Sequence, residues 1–134
     1  MMLIDAGTVP VFDRDFDGFL DYLNGDSHRP VISPKSFALV FNFDLQDLAA
    51  AARVHRNTIT RAPESEGVQR YLRESIRIVR AAADVSRSIE KALYWYKNHP
   101  IPTFDYKTGD QLVSEGRADD VVRYLQSLQQ GVAG

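Results

Sequence analysis

Cysteine is missing from all 134 residues, which rules out a disulfide framework and any thiolate metal site. Histidine is nearly missing. His28, His55 and His99 stand apart from one another, without a neighbouring nucleophile, a paired acid or metal-ligand spacing, so none of them reads as catalytic. There is no glycine-rich phosphate loop, no dinucleotide fingerprint and no Ser-His or paired-carboxylate arrangement. No cofactor or metal is expected, and no catalytic arrangement is found. Long apolar runs are lacking too, and nothing approaches a membrane span. The apolar residues at the N-terminus are too few for a signal peptide and follow no basic region, so a cytoplasmic protein is expected. No stretch alternates apolar and polar residues as a strand would, and the expected class is all-α.

The net charge of −2 conceals an uneven distribution. Residues 1–52 hold three basic and eight acidic side chains, a balance of −5. Residues 53–87 hold eight arginines and four acids, a balance of +4, and residues 88–134 come to −1 with five bases and six acids. A nucleic-acid contact belongs in the positive segment.

That segment opens inside 45–61, which reads as two short helices with a tight bend. Leu45, Leu48, Ala49 and Ala52 fall at i, i+3, i+4 and i+7, one apolar face. The alanines have high helix propensity and let another helix come close. Arg53, Val54 and His55 interrupt the pattern, with Val54 plugging the gap. A second helix starts near Arg56, buries Ile59 and shows Arg56, Asn57, Thr58, Thr60 and Arg61 to solvent. The pair resembles a helix-turn-helix, whose second helix lies in the DNA major groove. Arg and Asn there suit bidentate contacts to base edges, and Thr suits a base or a phosphate. Arg53 stands where the bend usually has glycine, and His55 where the cap is usually Ser or Thr. Arg53 must then take a left-handed conformation, or the bend differs. A plain helical hairpin with an alanine seam is the bland alternative.

Upstream, Asp13, Asp15, Asp17, Gly18 and Asp21 resemble the opening of an EF-hand calcium loop, but the twelfth position is Asn24 rather than a bidentate Glu. Phe12, Phe16, Phe19, Leu20 and Leu23 form one helical stripe, and five apolar residues outweigh an incomplete ligand set. Ser33 and Pro34 open the next helix, with Phe37, Val40 and Phe41, and Asp44 caps the one after. A helix restarting near Pro63 or Ser65 carries Val68, Leu72, Ile76, Val79 and Ala83 on one face. Arg70, Arg73, Arg77 and Arg80 gather opposite, as a solvated face rather than a phosphate track. The spacing predicts a break at 84–86, with Ser86 capping a helix that bears Ile89, Ala92, Leu93, Tyr96 and Trp95 and stops before Pro100 and Pro102. Thr108 and Gln111 form a capping box for a helix ending at Gly116. The last helix carries Val121, Val122, Leu125 and Leu128 and ends at Gly131.

The order of these C-terminal pieces resembles the Xre/ParS/MbcA antitoxins. The residues that carry the likeness are the helix with Ala92, Leu93, Tyr94 and Trp95; the Asn98, His99, Pro100 loop; Lys107 and Thr108; Gln111 through Gly116; and Val121 through Leu125 on to Gly131. It covers 45–134. The resemblance implies an Xre-like helix-turn-helix, placed at 31–84, followed by a small helical toxin-binding module at 85–134; the acidic extension at 1–30 is not part of what the family shares. It implies no enzyme, but a protein that occludes the active site of a RES-domain toxin, which consumes NAD or transfers ADP-ribose from it. It also implies binding to its own operator DNA, most simply as a homodimer, with no membrane. Trp95, Thr108, Leu112, Glu115, Gly116 and Gly131 would scaffold the toxin-facing module, and Val132 would begin a tail that enters the toxin's cleft. Core packing is the main duty expected of Trp95, Leu112 and Leu125, while Asp119, Asp120 and Arg123 are free to touch a toxin. Asp105, Tyr106 and Lys107 replace a glycine common before the Thr-capped helix. A stand-alone dimeric helix-turn-helix regulator is the alternative.

Overall fold

The computed structural model describes residues 9–25 and 28–131. Among them lie eight α-helices and no strand: α1 (Phe16–Asn24), α2 (Pro34–Phe41), α3 (Leu45–Ala52), α4 (Arg56–Arg61), α5 (Glu66–Ser86), α6 (Ile89–Asn98), α7 (Gly109–Ser114) and α8 (Ala118–Gln129). The protein is all-α. A 3-10 turn, Pro102–Phe104, and one isolated bridge between Ile101 and Lys107 complete the link from α6 to α7.

The caps follow local chemistry. The side chains of Asp15, Ser33, Asp44, Ser88 and Thr108 each accept a backbone N–H in the first turn of the helix that follows. Asp15 therefore serves α1 as a cap, and the Asp-x-Asp-x-Asp-Gly run folds into a helix start. Among the described residues no group of three His or carboxylate side chains is placed to hold a metal ion. The expected stripe on α1 is modified. Phe12 precedes the helix yet is buried edge-on against Phe19, and Leu20 faces outward.

Two expected boundaries move. α5 runs through Asp84, Val85 and Ser86 and stops at Arg87, whose φ of 64° is left-handed. The cap of α6 is then Ser88, not Ser86, and the Ser86 hydroxyl instead donates to the carbonyls of Ala82 and Ser88. Weak helix formers cost only tenths of a kcal/mol each, about 0.7 at most, and packing overrides them. At the other end Ser65 occupies the cap position of α5 without making a cap bond, and its hydroxyl is buried with no partner.

α5 is the central element, flanked by α6, α8, α7 and α3. Because it has neighbours on several sides its buried face is wider than one stripe: Tyr71, Ser75, Ile78 and Ala82 join Val68, Leu72, Ile76 and Val79. Each fully buried Leu, Ile or Val of this kind contributes about 1.5–3 kcal/mol. One hydrophobic cluster runs from Phe12 to Leu125 through all three segments. The two buried polar residues beside it, Gln69 and Ser75, are satisfied. Gln69 accepts from the Ile32 N–H (3.0 Å) and donates to the carbonyls of Ile32 and Pro63 (both 2.8 Å), tying two loops to α5. Ser75 Oγ donates to the Tyr71 carbonyl at 2.8 Å and lies 2.6 Å from Tyr96 Oη, which is 3.3 Å from Tyr71 Oη.

Candidate functional site

α3 ends in a Schellman turn. Arg53 is left-handed (φ 59°, ψ 43°), its N–H donates to the Ala50 carbonyl at 3.2 Å, and the Val54 N–H donates to the Ala49 carbonyl at 3.0 Å. A left-handed non-glycine residue is uphill by about 1–2 kcal/mol. The guanidinium meets α7: Nε donates to the Ser114 carbonyl at 2.7 Å, one of the orphan acceptors at that helix's C-terminus. His55 caps α4, its Nδ1 accepting the Asn57 N–H at 3.0 Å, which requires an unprotonated Nδ1.

On α4 only Ile59 is buried. Arg56, Asn57, Thr60 and Arg61 are exposed as expected, whereas Thr58 is half-buried and offers less of its surface. The Thr60 hydroxyl donates to the Asn57 carbonyl at 3.2 Å. No acidic residue lies within the helix, so its outer face is cationic with one amide. At six residues α4 is roughly 9 Å long. The arginine row behaves as a solvated face. Arg73 pairs with Glu66, Arg77 with Glu74 and Asp119, and Arg80 lies 4.9 Å from the Phe16 ring centre.

The C-terminal residues divide into three environments. Thr108 and Gln111 complete both limbs of the capping box, and beside them Lys107 holds the Glu115 carboxylate at 2.8 Å, keeping its pKa below the usual range. Gly116 is left-handed (φ 81°); its N–H donates to Val113 and that of Arg117 to Leu112, a second Schellman turn. Trp95 lies elsewhere. Half-buried and stacked on His99 at 5.8 Å, it lines an open apolar groove of about 450 Å³ with the exposed Tyr94, the half-buried Leu128 and the buried Leu125. Leu112, by contrast, is fully buried and offers no surface to a partner. Gly131 has a φ of 75°, and Val132 lies outside the described residues. Asp119 pairs with Arg77, whose hydrogen bond lowers its pKa, and Asp120 with Arg117 and Arg123.

Two features have no local signature in the sequence. The contact from Arg53 to Ser114 spans 61 residues. The Glu90 carboxylate reaches back to accept the N–H groups of Phe12 (2.8 Å) and Asp13 (3.0 Å), fixing the segment before α1 onto α6. Compared with protein-family models, with curated proteins and with solved structures, the chain gives no match.

Proposed function

We propose that this chain is an antitoxin of the Xre/ParS/MbcA kind, in which the helices after α5 neutralise a RES-domain toxin by occluding its active site. The observation that carries the reading is the order and spacing of the C-terminal pieces, from the Trp95 helix through the Thr108 cap to Gly131. Their physical roles support it. Thr108, Gly116 and Leu112 build a rigid helical unit, and Trp95 with Tyr94 leaves aromatic surface open, the residue types that anchor protein interfaces. The protein is then a binding module rather than an enzyme. Co-expression with the product of the neighbouring gene tests this. A stable complex and restored cellular NAD are expected; failure to bind any RES-domain toxin would overturn the reading.

The same reading makes α3 and α4 an Xre-like helix-turn-helix that binds the operon's own promoter, as a homodimer, since paired reading helices strengthen operator binding. The exposed Arg56, Asn57, Thr60 and Arg61 support it. Promoter binding with steep salt dependence is expected, because phosphate contacts release counterions. Specific promoter binding in a cell with no toxin partner would favour a stand-alone regulator instead.

A further inference from the structure

Of the six left-handed non-glycine residues among those described, Asn42, Arg53 and Arg87 close α-helices, where glycine is the less strained choice and asparagine the common substitute, so the two arginines stand out. Arg53 uses its guanidinium on Ser114. Arg87 has no hydrogen bond or ion pair from its side chain among the described residues. Its side chain instead lines a cavity of about 380 Å³, within the size range of small-molecule sites.

Three arginines from two stretches of chain line the cavity: Arg14 before α1, and Arg80 and Arg87 at the C-terminal end of α5. None forms an ion pair among the described residues. Arg80 rests on the Phe16 ring, which limits its motion. The facing wall is fixed in place. Asp13, itself left-handed at φ 53°, is held by its N–H on Glu90 and by its carbonyl, which accepts the Ile89 N–H at 2.7 Å. Asp13 and Asp84 add two carboxylates to the lining. Arg80 and Arg87 also suit the negative C-terminal end of α5. That explains their sign, but neither the convergence of Arg14 nor an arginine in a left-handed position.

We propose that this cavity binds a small phosphate ester bearing free hydroxyl groups, a sugar phosphate in class. The three guanidiniums take the phosphate, which their planar donor geometry matches, and Asp13 and Asp84 accept from the hydroxyls. The site is separate from α4. It lies at the far end of α5, a helix of 21 residues and so roughly 30 Å long.

Amide chemical shifts of the full chain, titrated with ribose 5-phosphate, inorganic phosphate and ribose, test the assignment. Ribose 5-phosphate is expected to saturate shifts around Arg14, Arg87 and Ser88, more tightly than inorganic phosphate, with ribose inert. Arg87→Gly keeps the left-handed turn, and Arg14→Gln leaves the backbone alone; each should weaken binding about tenfold or more. Arg87→Gly should also unfold at the same temperature as the parent or higher. Absence of saturable shifts at millimolar ribose 5-phosphate overturns the proposal, as do variants that bind as tightly as the parent. Equal affinity for phosphate and ribose 5-phosphate overturns the part assigned to the two carboxylates.

Discussion

The Arg53 guanidinium donates through Nε to the carbonyl oxygen of Ser114 at 2.7 Å, joining the bend between α3 and α4 to the C-terminal end of α7. One residue therefore carries two opposed terms. Its backbone is uphill by about 1–2 kcal/mol, and its side chain makes a bond to an otherwise orphaned helix carbonyl. Because the bond is exposed, its net worth is about 1 kcal/mol.

Replacing Arg53 separates the terms. Arg53→Gly loses the bond but relieves the backbone, so its stability should fall within about 1 kcal/mol of the parent. Arg53→Ala loses the bond and keeps the strain, and should be the less stable of the two by about 1 kcal/mol. Urea midpoints at constant slope measure both differences.

Gly109 should respond in the opposite sense to an ordinary helical glycine. Alanine usually stabilises a helix by about 1 kcal/mol. Here an added Cβ would sit 2.9 Å from Tyr96 Cδ1 and 3.2 Å from the Tyr96 carbonyl oxygen, and Tyr96 is fully buried. Gly109→Ala is therefore expected to destabilise by about 1–3 kcal/mol, read as a lower melting temperature. A stabilised variant would mean that α7 is not held this close to α6.

What could be read from the sequence follows the range of the interaction. Ser33 with Pro34, Asp44, and Thr108 with Gln111 announce helix starts within four residues, and each is a cap in the fold. The exposed face of α4 was legible for a similar reason, since Ile59 is its only apolar residue. The end of α5 was not. Asp84, Val85 and Ser86 look like a break by propensity, yet the helix continues through them to Arg87. Nor did any spacing reveal that Arg53 meets Ser114, or that Arg14, Arg80 and Arg87 meet at one cavity, because those groups converge only once α5 has its neighbours. Trp95 shows the limit of motif reading: core packing was expected of it as of Leu112, and Leu112 is fully buried, yet Trp95 is half-buried on the wall of an open groove.

The buried tyrosines set an alkaline limit. Burial pushes Tyr71 up to about 12 and Tyr96 well above its ordinary value. Above pH ~10 an unfolded chain releases these protons while the folded chain keeps them, so stability falls as pH rises through that window. The shift at Tyr71 alone corresponds to roughly 2–3 kcal/mol by pH ~12. Denaturant titrations at about pH 8 and about pH 11 should show a large loss in the parent and a smaller one in Tyr71→Phe.

On α4, Arg56→Ala and Asn57→Ala should each reduce discrimination between the promoter and a mismatched duplex by about 1–3 kcal/mol if they read base edges. Thr58→Ala should change it less, because Thr58 is half-buried. Competition binding at one fixed salt concentration decides it, and uniform losses on both duplexes would assign these residues to phosphates instead.

Leu112 and Trp95 belong to one sequence pattern but should fail differently. Leu112 has no exposed surface, so Leu112→Ala leaves a cavity and is expected to lower stability by about 2–5 kcal/mol. Any loss of binding to the proposed toxin partner would then track the unfolded fraction and recover on cooling. Trp95 is half-buried on the wall of an open groove, stacked on His99. Trp95→Ala removes packing on one side only, so its stability loss should be clearly smaller than that of Leu112→Ala. If the groove meets the toxin, its complex should dissociate faster even where the variant is fully folded. Melting temperatures and dissociation rates measured on the same two variants separate a residue that shapes the module from one that touches the partner.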